Sequence, residues 1–214
     1  MQRDEAEQLL TAHADARDTL LLRITAAAAK AGRPLWQIGS RTEDRADAWS
    51  DLDLVIGTGP CLTGEAALTV DNPANGPAGG GYLGVAHLTG PLLVWVDWYT
   101  WPADLPVPAH ARLLTGEDRP GDLSLSEALE GHGRGTDPDR TNPNTFRLAM
   151  IPIAAKYAAR GRHEEAAGMA GMLDGLADGD PLTRLRRLLS AAYGPRPLID
   201  RIALTLDVAE AVRP

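Results

Sequence analysis

Cysteine and lysine are both scarce in this chain of 214 residues. The only cysteine, Cys61, excludes an internal disulfide, and because no Cys or His lies near it at ligand spacing it gives no indication of a zinc site. A reducing cytoplasm is therefore the expected location. Lysine occurs only as Lys30 and Lys156 among 21 basic residues, so arginine carries almost all of the positive charge.

Long apolar runs and an excess of positive charge are also missing. No run approaches the roughly 20 apolar residues of a membrane helix, and the opening residues MQRDEAEQLL lack the basic and then apolar order of a signal peptide. The net charge is -8, and nucleic-acid affinity comes mainly from Lys and Arg that contact phosphates. We therefore expect no membrane and no nucleic-acid partner, and the acidic surface favours a cationic or neutral small molecule.

The N-terminal part of the chain has the pattern of an α+β domain. Apolar residues between about 4 and 30 recur every three to four positions, which predicts an amphipathic helix. Two short apolar runs, 34–38 and 52–56, predict strands joined by a turn. Further strands are expected at 65–70, 82–88, 92–99 and 111–114. We place a first domain, a small mixed β-sheet with flanking helices, at residues 1–116.

The pattern changes after Gly116, where glycine, proline, aspartate and asparagine become frequent. A short helix is expected within this segment at 124–130. From residue 145 onward no strand pattern is left, and three or four helices are expected at about 145–160, 163–177, 181–193 and 197–212. We therefore predict a second domain over residues 117–214, a C-terminal helical bundle.

Two aspartates stand at the start of the second predicted strand. Asp51 and Asp53 are two positions apart, and the period of two in a strand places both carboxylates on one face of the sheet. Like charges this close repel in a partly buried site, so the pair is expected either to bind a cation or to share a proton. Magnesium is the expected cation because it takes carboxylate and phosphate oxygens as ligands. The alternative is an exposed edge strand with two solvated acids.

Two further features favour the metal-binding interpretation. Gly39 and Ser40 end the preceding predicted strand, where a glycine allows close backbone approach and a hydroxyl can bind phosphate. Asp97 interrupts an apolar and aromatic strand between Val96 and Trp98. A charge at such a place is costly unless it is paired or bound to a metal. We therefore expect the acids to converge on one site.

The order of these features resembles the signature of the DNA polymerase beta-like nucleotidyltransferases: a Gly-Ser turn, an Asp-x-Asp pair on the next strand and a third carboxylate on a later strand. The segment GSRTEDRADAWSDLDLVI looks most like that of aminoglycoside and lincosamide antibiotic nucleotidyltransferases and of the minimal nucleotidyltransferase domains of bacteria. Gly39 and Ser40 match the turn, and Asp51, Asp53 and Asp97 match the acids. The small sheet followed by a helical part that contains IAAKYAARGR agrees with this resemblance.

The resemblance implies that a nucleoside monophosphate, expected to be AMP from ATP, is transferred to a hydroxyl with release of pyrophosphate. It implies two magnesium ions, with Asp51 and Asp53 as ligands and Asp97 as a ligand of the second ion and as the general base. The residues implied to contact the nucleotide phosphates are Gly39, Ser40, Arg41 and Lys156. For Arg41 and Lys156 the alternative is an exposed, solvated side chain.

The acceptor is not determined by the fold or by the catalytic acids. The first hypothesis is a small hydroxylated molecule of the aminoglycoside or lincosamide type, with Glu43, Asp44 and Asp47 attracting its amines. The alternative for these three acids is a solvated loop. The second hypothesis is an AMPylating, antitoxin-type enzyme that modifies a protein, and the third is a non-catalytic nucleotide-binding sensor. A monomer and a homodimer both stay open, since the N-terminal helix packs either on its own sheet or on a second subunit.

Overall fold

The computed structural model describes residues 1–43, 45–57, 66–136, 142–176 and 178–214. Asp44 and Cys61 lie outside these ranges, so the structure does not address the predictions that concern them. The described part of the chain has an α+β fold, as predicted, with one mixed sheet, flanking helices and a group of helices at the C-terminal end.

The described residues form a six-stranded sheet, and its strands lie where the sequence predicted them. The strands are β1 (Leu35–Ile38), β2 (Leu52–Ile56), β3 (Ala66–Asp71), β4 (Gly81–His87), β5 (Val94–Thr100) and β6 (Arg112–Thr115). Their spatial order is β3-β4-β5-β2-β1-β6. The central strands β2 and β5 run parallel, and the other neighbouring pairs are antiparallel.

The described residues also form six α-helices, and a side-chain cap marks the start of three of them. They are α1 (Arg3–Lys30), α2 (Leu125–His132), α3 (Pro143–Ala159), α4 (His163–Asp174), α5 (Pro181–Ser190) and α6 (Arg196–Val212), with short 3-10 helices at Gly39–Arg41 and Pro73–Asn75. Ser124 and Glu127 form a capping box at the start of α2, and the side chain of Asn142 caps α3. Among the helices of the described ranges, none combines the length and the apolar character that crossing a membrane requires.

The helix α1 packs against one face of the sheet. Its residues Leu21 and Ile24 form a buried apolar cluster with Leu52 and Leu54 of β2 and with Trp98 of β5. The leucines of β2 therefore point into the core, as the period of two predicted, and the alternate residues of β2 face the other side of the sheet. The N-terminal helix thus packs on its own sheet.

The C-terminal helices cover part of the opposite face. Ala86 of β4 and Trp95 of β5 share a buried cluster with Leu148 of α3 and Ile202 of α6. Trp49 belongs to the same cluster and is a packing residue. Because this cluster includes residues of both the sheet and the bundle, α3 is held within reach of the strands that carry the acids.

Candidate active site

The three predicted acids meet on one face at the centre of the sheet. Asp53 on β2 and Asp97 on β5 are register partners in the parallel pair, so their side chains lie side by side on the same face. Asp51 directly precedes β2. All three acids line one cleft of about 370 Å³. The fold therefore brings together the acids that lie far apart in the sequence.

The Gly39-Ser40 turn lies against the same carboxylates. Gly39 has a φ of +77° and begins the 3-10 helix that follows β1, a conformation that favours glycine. A Cβ atom at this position would overlap with the carboxylate of Asp53. Glycine is therefore required here both by the backbone conformation and by the closeness of Asp53. Ser40 lines the cleft beside the acids.

Asp97 is held by two aromatic side chains that the sequence pattern did not assign to the site. The Tyr82 hydroxyl and the Trp95 indole Nε1 both donate to Oδ1 of Asp97, the indole at 2.8 Å. Burial and then the negative charge of Asp51 raise the pKa of Asp97 to about 6, and the two hydrogen bonds oppose this rise. The alternation of β5 would have indicated Trp95, whereas Tyr82 reaches Asp97 only through the β4–β5 pairing.

Asp53 is half-buried between like charges. Burial, followed by the charges of Asp97 and Asp51, raises the pKa of Asp53 well above its ordinary value, and the ammonium of Lys156 opposes this rise. The register of β2 and β5 places the carboxyl groups of Asp53 and Asp97 side by side. Without a cation, this pair is expected to share a proton. The sequence predicted that Asp51 and Asp53 either bind a cation or share a proton, and the register places Asp97 beside Asp53 as well.

Lys156 and Arg41, both expected at the phosphates, lie in different places. The side chain of Lys156 is only 5% exposed, and its ammonium forms an ion pair with Asp51, so the alternative of a solvated surface lysine is wrong. Arg41 pairs instead with Asp18 of α1 at 2.8 Å. It does not belong to the described residues that line the cleft, so the geometry does not support its predicted role at the phosphates.

Three arginines that the sequence pattern did not single out also line the cleft. Their ion pairs are Arg45 with Glu43, Arg160 with Asp47 and Arg162 with Glu165. Glu43 and Asp47, which were predicted to attract an amine-bearing molecule, are therefore at least partly neutralised. The signal that would have found Arg160 is its spacing, since it follows Lys156 by four residues and a helix places such positions on one face.

A buried arginine of α1 fixes the loop that leads to Asp51. The guanidinium of Arg17 donates through Nη1 to the backbone carbonyls of Asp47 at 3.0 Å and Ser50 at 2.8 Å. The Ser50 hydroxyl also bonds the Asp47 carboxylate at 3.0 Å. The position of Asp51 therefore depends on α1 as well as on β2.

His13 on α1 is a buried histidine close to two cations. Burial and then the charges of Lys156 and Arg17 lower the pKa of His13 from 6.5 to about 3. Because the folded pKa is lowered, the stability that His13 contributes is fully present above pH 6.5 and is lost as the pH falls. We expect this loss to reach up to about 1.4 kcal/mol per pH unit below that point.

His13→Gln should remove this part of the pH dependence. The measurement is urea unfolding of the wild type and the variant between about pH 7.5 and 4.5, with His132→Gln, a change at an exposed histidine of α2, as the control. If the two stability curves stay parallel over that range, His13 titrates normally in the folded protein and the prediction is wrong.

The donor chemistry of the cleft suits magnesium together with phosphates. Within the described ranges, no group of three or more His, Cys, Asp or Glu side chains is arranged to hold a metal ion, and Asp51 is engaged by Lys156. Asp53 and Asp97 supply two adjacent carboxylates, and magnesium commonly takes one or two carboxylates before substrate phosphates and water complete its shell. The residues therefore fit a magnesium–nucleotide complex better than a metal ion alone.

Comparison with known proteins gives no assignment. No protein-family model matches the chain, and a search of curated proteins found no similar sequence.

Proposed function

We propose that this protein is a magnesium-dependent nucleotidyltransferase that transfers a nucleoside monophosphate, with ATP as the expected donor, to a hydroxyl of a small molecule. The observation that carries the proposal is the pairing of Asp53 with Asp97 on parallel strands, next to the Gly39-Ser40 turn and in one cleft with Asp51. Carboxylates crowded in this way oppose folding, so their presence favours a functional role.

The three acids divide two tasks in the proposed reaction. Asp51 and Asp53 would hold magnesium against the triphosphate, and Asp97 would take part in a second ion site. When bound, magnesium supplies positive charge that offsets the charge developing on the transferred phosphoryl group. Asp97 would accept the proton of the acceptor hydroxyl while the hydroxyl oxygen bonds to the α-phosphorus and the bond to pyrophosphate breaks.

Positive side chains around the cleft support nucleotide binding. Arg45, Arg160 and Arg162 line it, and Lys156 reaches Asp51 within it. The ion pairs of the three arginines are partly exposed and contribute little to stability, so a triphosphate, with more charge than one carboxylate, would recruit these arginines from their present partners. The cleft volume of about 370 Å³ is also within the usual range of small-ligand sites, roughly 300–1,000 Å³.

The acceptor that we propose is a small hydroxylated molecule of the aminoglycoside or lincosamide type. The net charge of -8 favours the approach of an amine-bearing molecule through the long-range field of the protein. The pairing of Glu43 with Arg45 and of Asp47 with Arg160 makes the local attraction weaker than the sequence predicted. Overall charge, rather than these two acids, would therefore steer the acceptor.

The proposal predicts release of pyrophosphate that depends on both magnesium and acceptor. The purified protein is incubated with magnesium and ATP labelled at the α-phosphate, alone and with a panel of aminoglycosides and lincosamides. Pyrophosphate release and transfer of the label are measured, and EDTA should abolish both. Label on a co-purified protein would favour the AMPylating enzyme, and ATP binding without turnover would favour the sensor. If the protein neither binds nor turns over ATP, the proposed function is wrong.

A further inference from the structure

The carboxylate of Asp97 is held by side chains that the proposed chemistry does not use. The Tyr82 hydroxyl and the Trp95 indole both donate a hydrogen bond to the same oxygen of Asp97, Oδ1. Two donors on one oxygen fix the rotamer and the plane of the carboxylate, because each hydrogen bond has a preferred direction. This leaves Oδ2 as the oxygen that can serve a metal ion or the proton of an acceptor.

A glycine inside β4 makes this arrangement sterically feasible. Gly84 is the register partner of Asp97 on the neighbouring strand. A Cβ atom at this position would overlap with the ring of Trp95 and would lie 3.0 Å from the Tyr82 hydroxyl. Glycine weakens the interior of a strand, so its presence there indicates that the space is needed. That space lets both aromatic side chains reach Asp97.

We propose that Tyr82 and Trp95 are positioning residues that present Asp97 to the acceptor hydroxyl, and that Gly84 provides the room they occupy. This inference rests on the proposed function. Both donors are neutral, so they orient the carboxylate without cancelling its charge. A purely structural role would lower stability alone, whereas a positioning role lowers kcat and leaves the KM for the nucleotide unchanged.

Tyr82→Phe removes one donor and keeps the ring. We expect kcat to fall roughly tenfold to a hundredfold, the usual effect of losing a partner that orients a metal-binding or catalytic group, with the KM for ATP unchanged at saturating magnesium. Tyr99→Phe is the matched control. Tyr99 is the register partner of Tyr82, and the two rings pack edge to face at 5.4 Å. No hydrogen bond from the Tyr99 hydroxyl to Asp97 occurs among the described residues, so this variant should keep its kcat.

Trp95→Phe removes the second donor, and Trp36→Phe is its matched control. The indole Nε1 of Trp36 also donates to an aspartate oxygen at 2.8 Å, that of Asp118, and Trp36 is outside the described lining of the cleft. Both variants should lose stability, and only Trp95→Phe should lose kcat. Gly84→Ala should reproduce the loss of kcat, since its Cβ displaces the Trp95 ring.

A second measurement needs no turnover. Binding of Mn²⁺ in the presence of an ATP analogue with a non-cleavable α,β bridge is followed by electron paramagnetic resonance, and the affinity should fall roughly tenfold in Tyr82→Phe and Trp95→Phe. If the wild type shows neither turnover nor Mn²⁺–nucleotide binding, the proposed function fails and the positioning role falls with it.

The remaining outcomes separate the two proposals. If the wild type is active while Tyr82→Phe and Trp95→Phe match their controls in both kcat and Mn²⁺ affinity, the positioning role alone is wrong. If the wild type binds Mn²⁺ and the analogue without turnover, the Mn²⁺ affinities decide: weaker binding in both variants supports the positioning role, and unchanged binding overturns it.

Discussion

Asp53→Asn is expected to abolish nucleotidyl transfer and, when divalent cations are absent, to make the folded protein more stable. Transfer should fall by roughly 10³-fold or more, because the variant loses a carboxylate that would hold magnesium at the triphosphate. Stability should rise because the wild-type carboxylate is half-buried beside Asp97 and Asp51, and a neutral amide of the same shape avoids that repulsion. A simple folding defect would not move activity and stability in opposite directions.

The pH dependence of this stability gain has a definite sign. The pKa of Asp53 in the folded state is raised above the ordinary value of 3.8, so the stability that this residue contributes is complete below pH 3.8 and is lost as the pH rises through the folded value. Thermal unfolding of both proteins in EDTA between about pH 4 and 8 should therefore show a difference in Tm that widens with pH. The pH dependence of stability that comes from His13 is the same in both proteins, so it does not contribute to the difference in Tm.

Asp71→Asn is the control for this experiment. Asp71 is an exposed carboxylate at the end of β3, and its loss should leave both the transfer rate and the Tm unchanged. If Asp53→Asn keeps its transfer activity, Asp53 is not a ligand of the proposed metal site. A variant less stable than the wild type at high pH would show that the carboxylate is stabilised in the folded protein, contrary to the repulsion inferred from its neighbours.

The parts of the fold that depend on local pattern could be predicted from the sequence. The strand β2 alternates acids and leucines, and that period is a property of neighbouring residues, so both the strand and the common face of its acids followed from it. Asp97 was predicted for an energetic reason, since a charge within an apolar strand requires a partner. Gly39 was predicted because close approach of the backbone requires a residue without a side chain.

The pairing of distant strands could not be predicted in this way. Nothing in the sequence places β5 next to β2 in parallel register, although this register aligns Asp53 with Asp97. Register is set by the fit of whole strands and turns. Tyr82 was missed for the same reason, because it reaches Asp97 across the β4–β5 pair.

Long cationic side chains are also difficult to place from the sequence. Arg41 follows the Gly39-Ser40 turn directly, which suggested a role at the phosphates, yet its length lets it reach Asp18 on α1. Lys156 lies at the edge of an apolar stripe, where a lysine can equally point to solvent. Lys156 is buried because α3 packs on the sheet. The periodicity of a single helix does not predict how that helix packs on other elements.

Lys156→Met is expected to destabilise the protein by about 3 kcal/mol in EDTA, and magnesium is expected to restore part of that loss. The variant leaves Asp51 without its cation beside Asp53 and Asp97. Breaking a buried ion pair typically costs about 3–5 kcal/mol of stability. We expect a cost at the lower end of this range because the side chain of Asp51 is 24% exposed and stays partly solvated. Methionine retains most of the apolar contact of the lysine stem, so the missing charge accounts for the change.

Lys30→Met is the matched control, since Lys30 is the other lysine of the chain and is exposed at the end of α1. Its stability should change by no more than about 0.5 kcal/mol, as measured by urea unfolding with EDTA and with magnesium. In the wild type the ammonium of Lys156 and a metal ion compete for Asp51, so magnesium should stabilise Lys156→Met more than the wild type. An equal effect of magnesium on both proteins would mean that Lys156 and the cation do not share Asp51, and the acids would then form a cluster that the lysine alone neutralises.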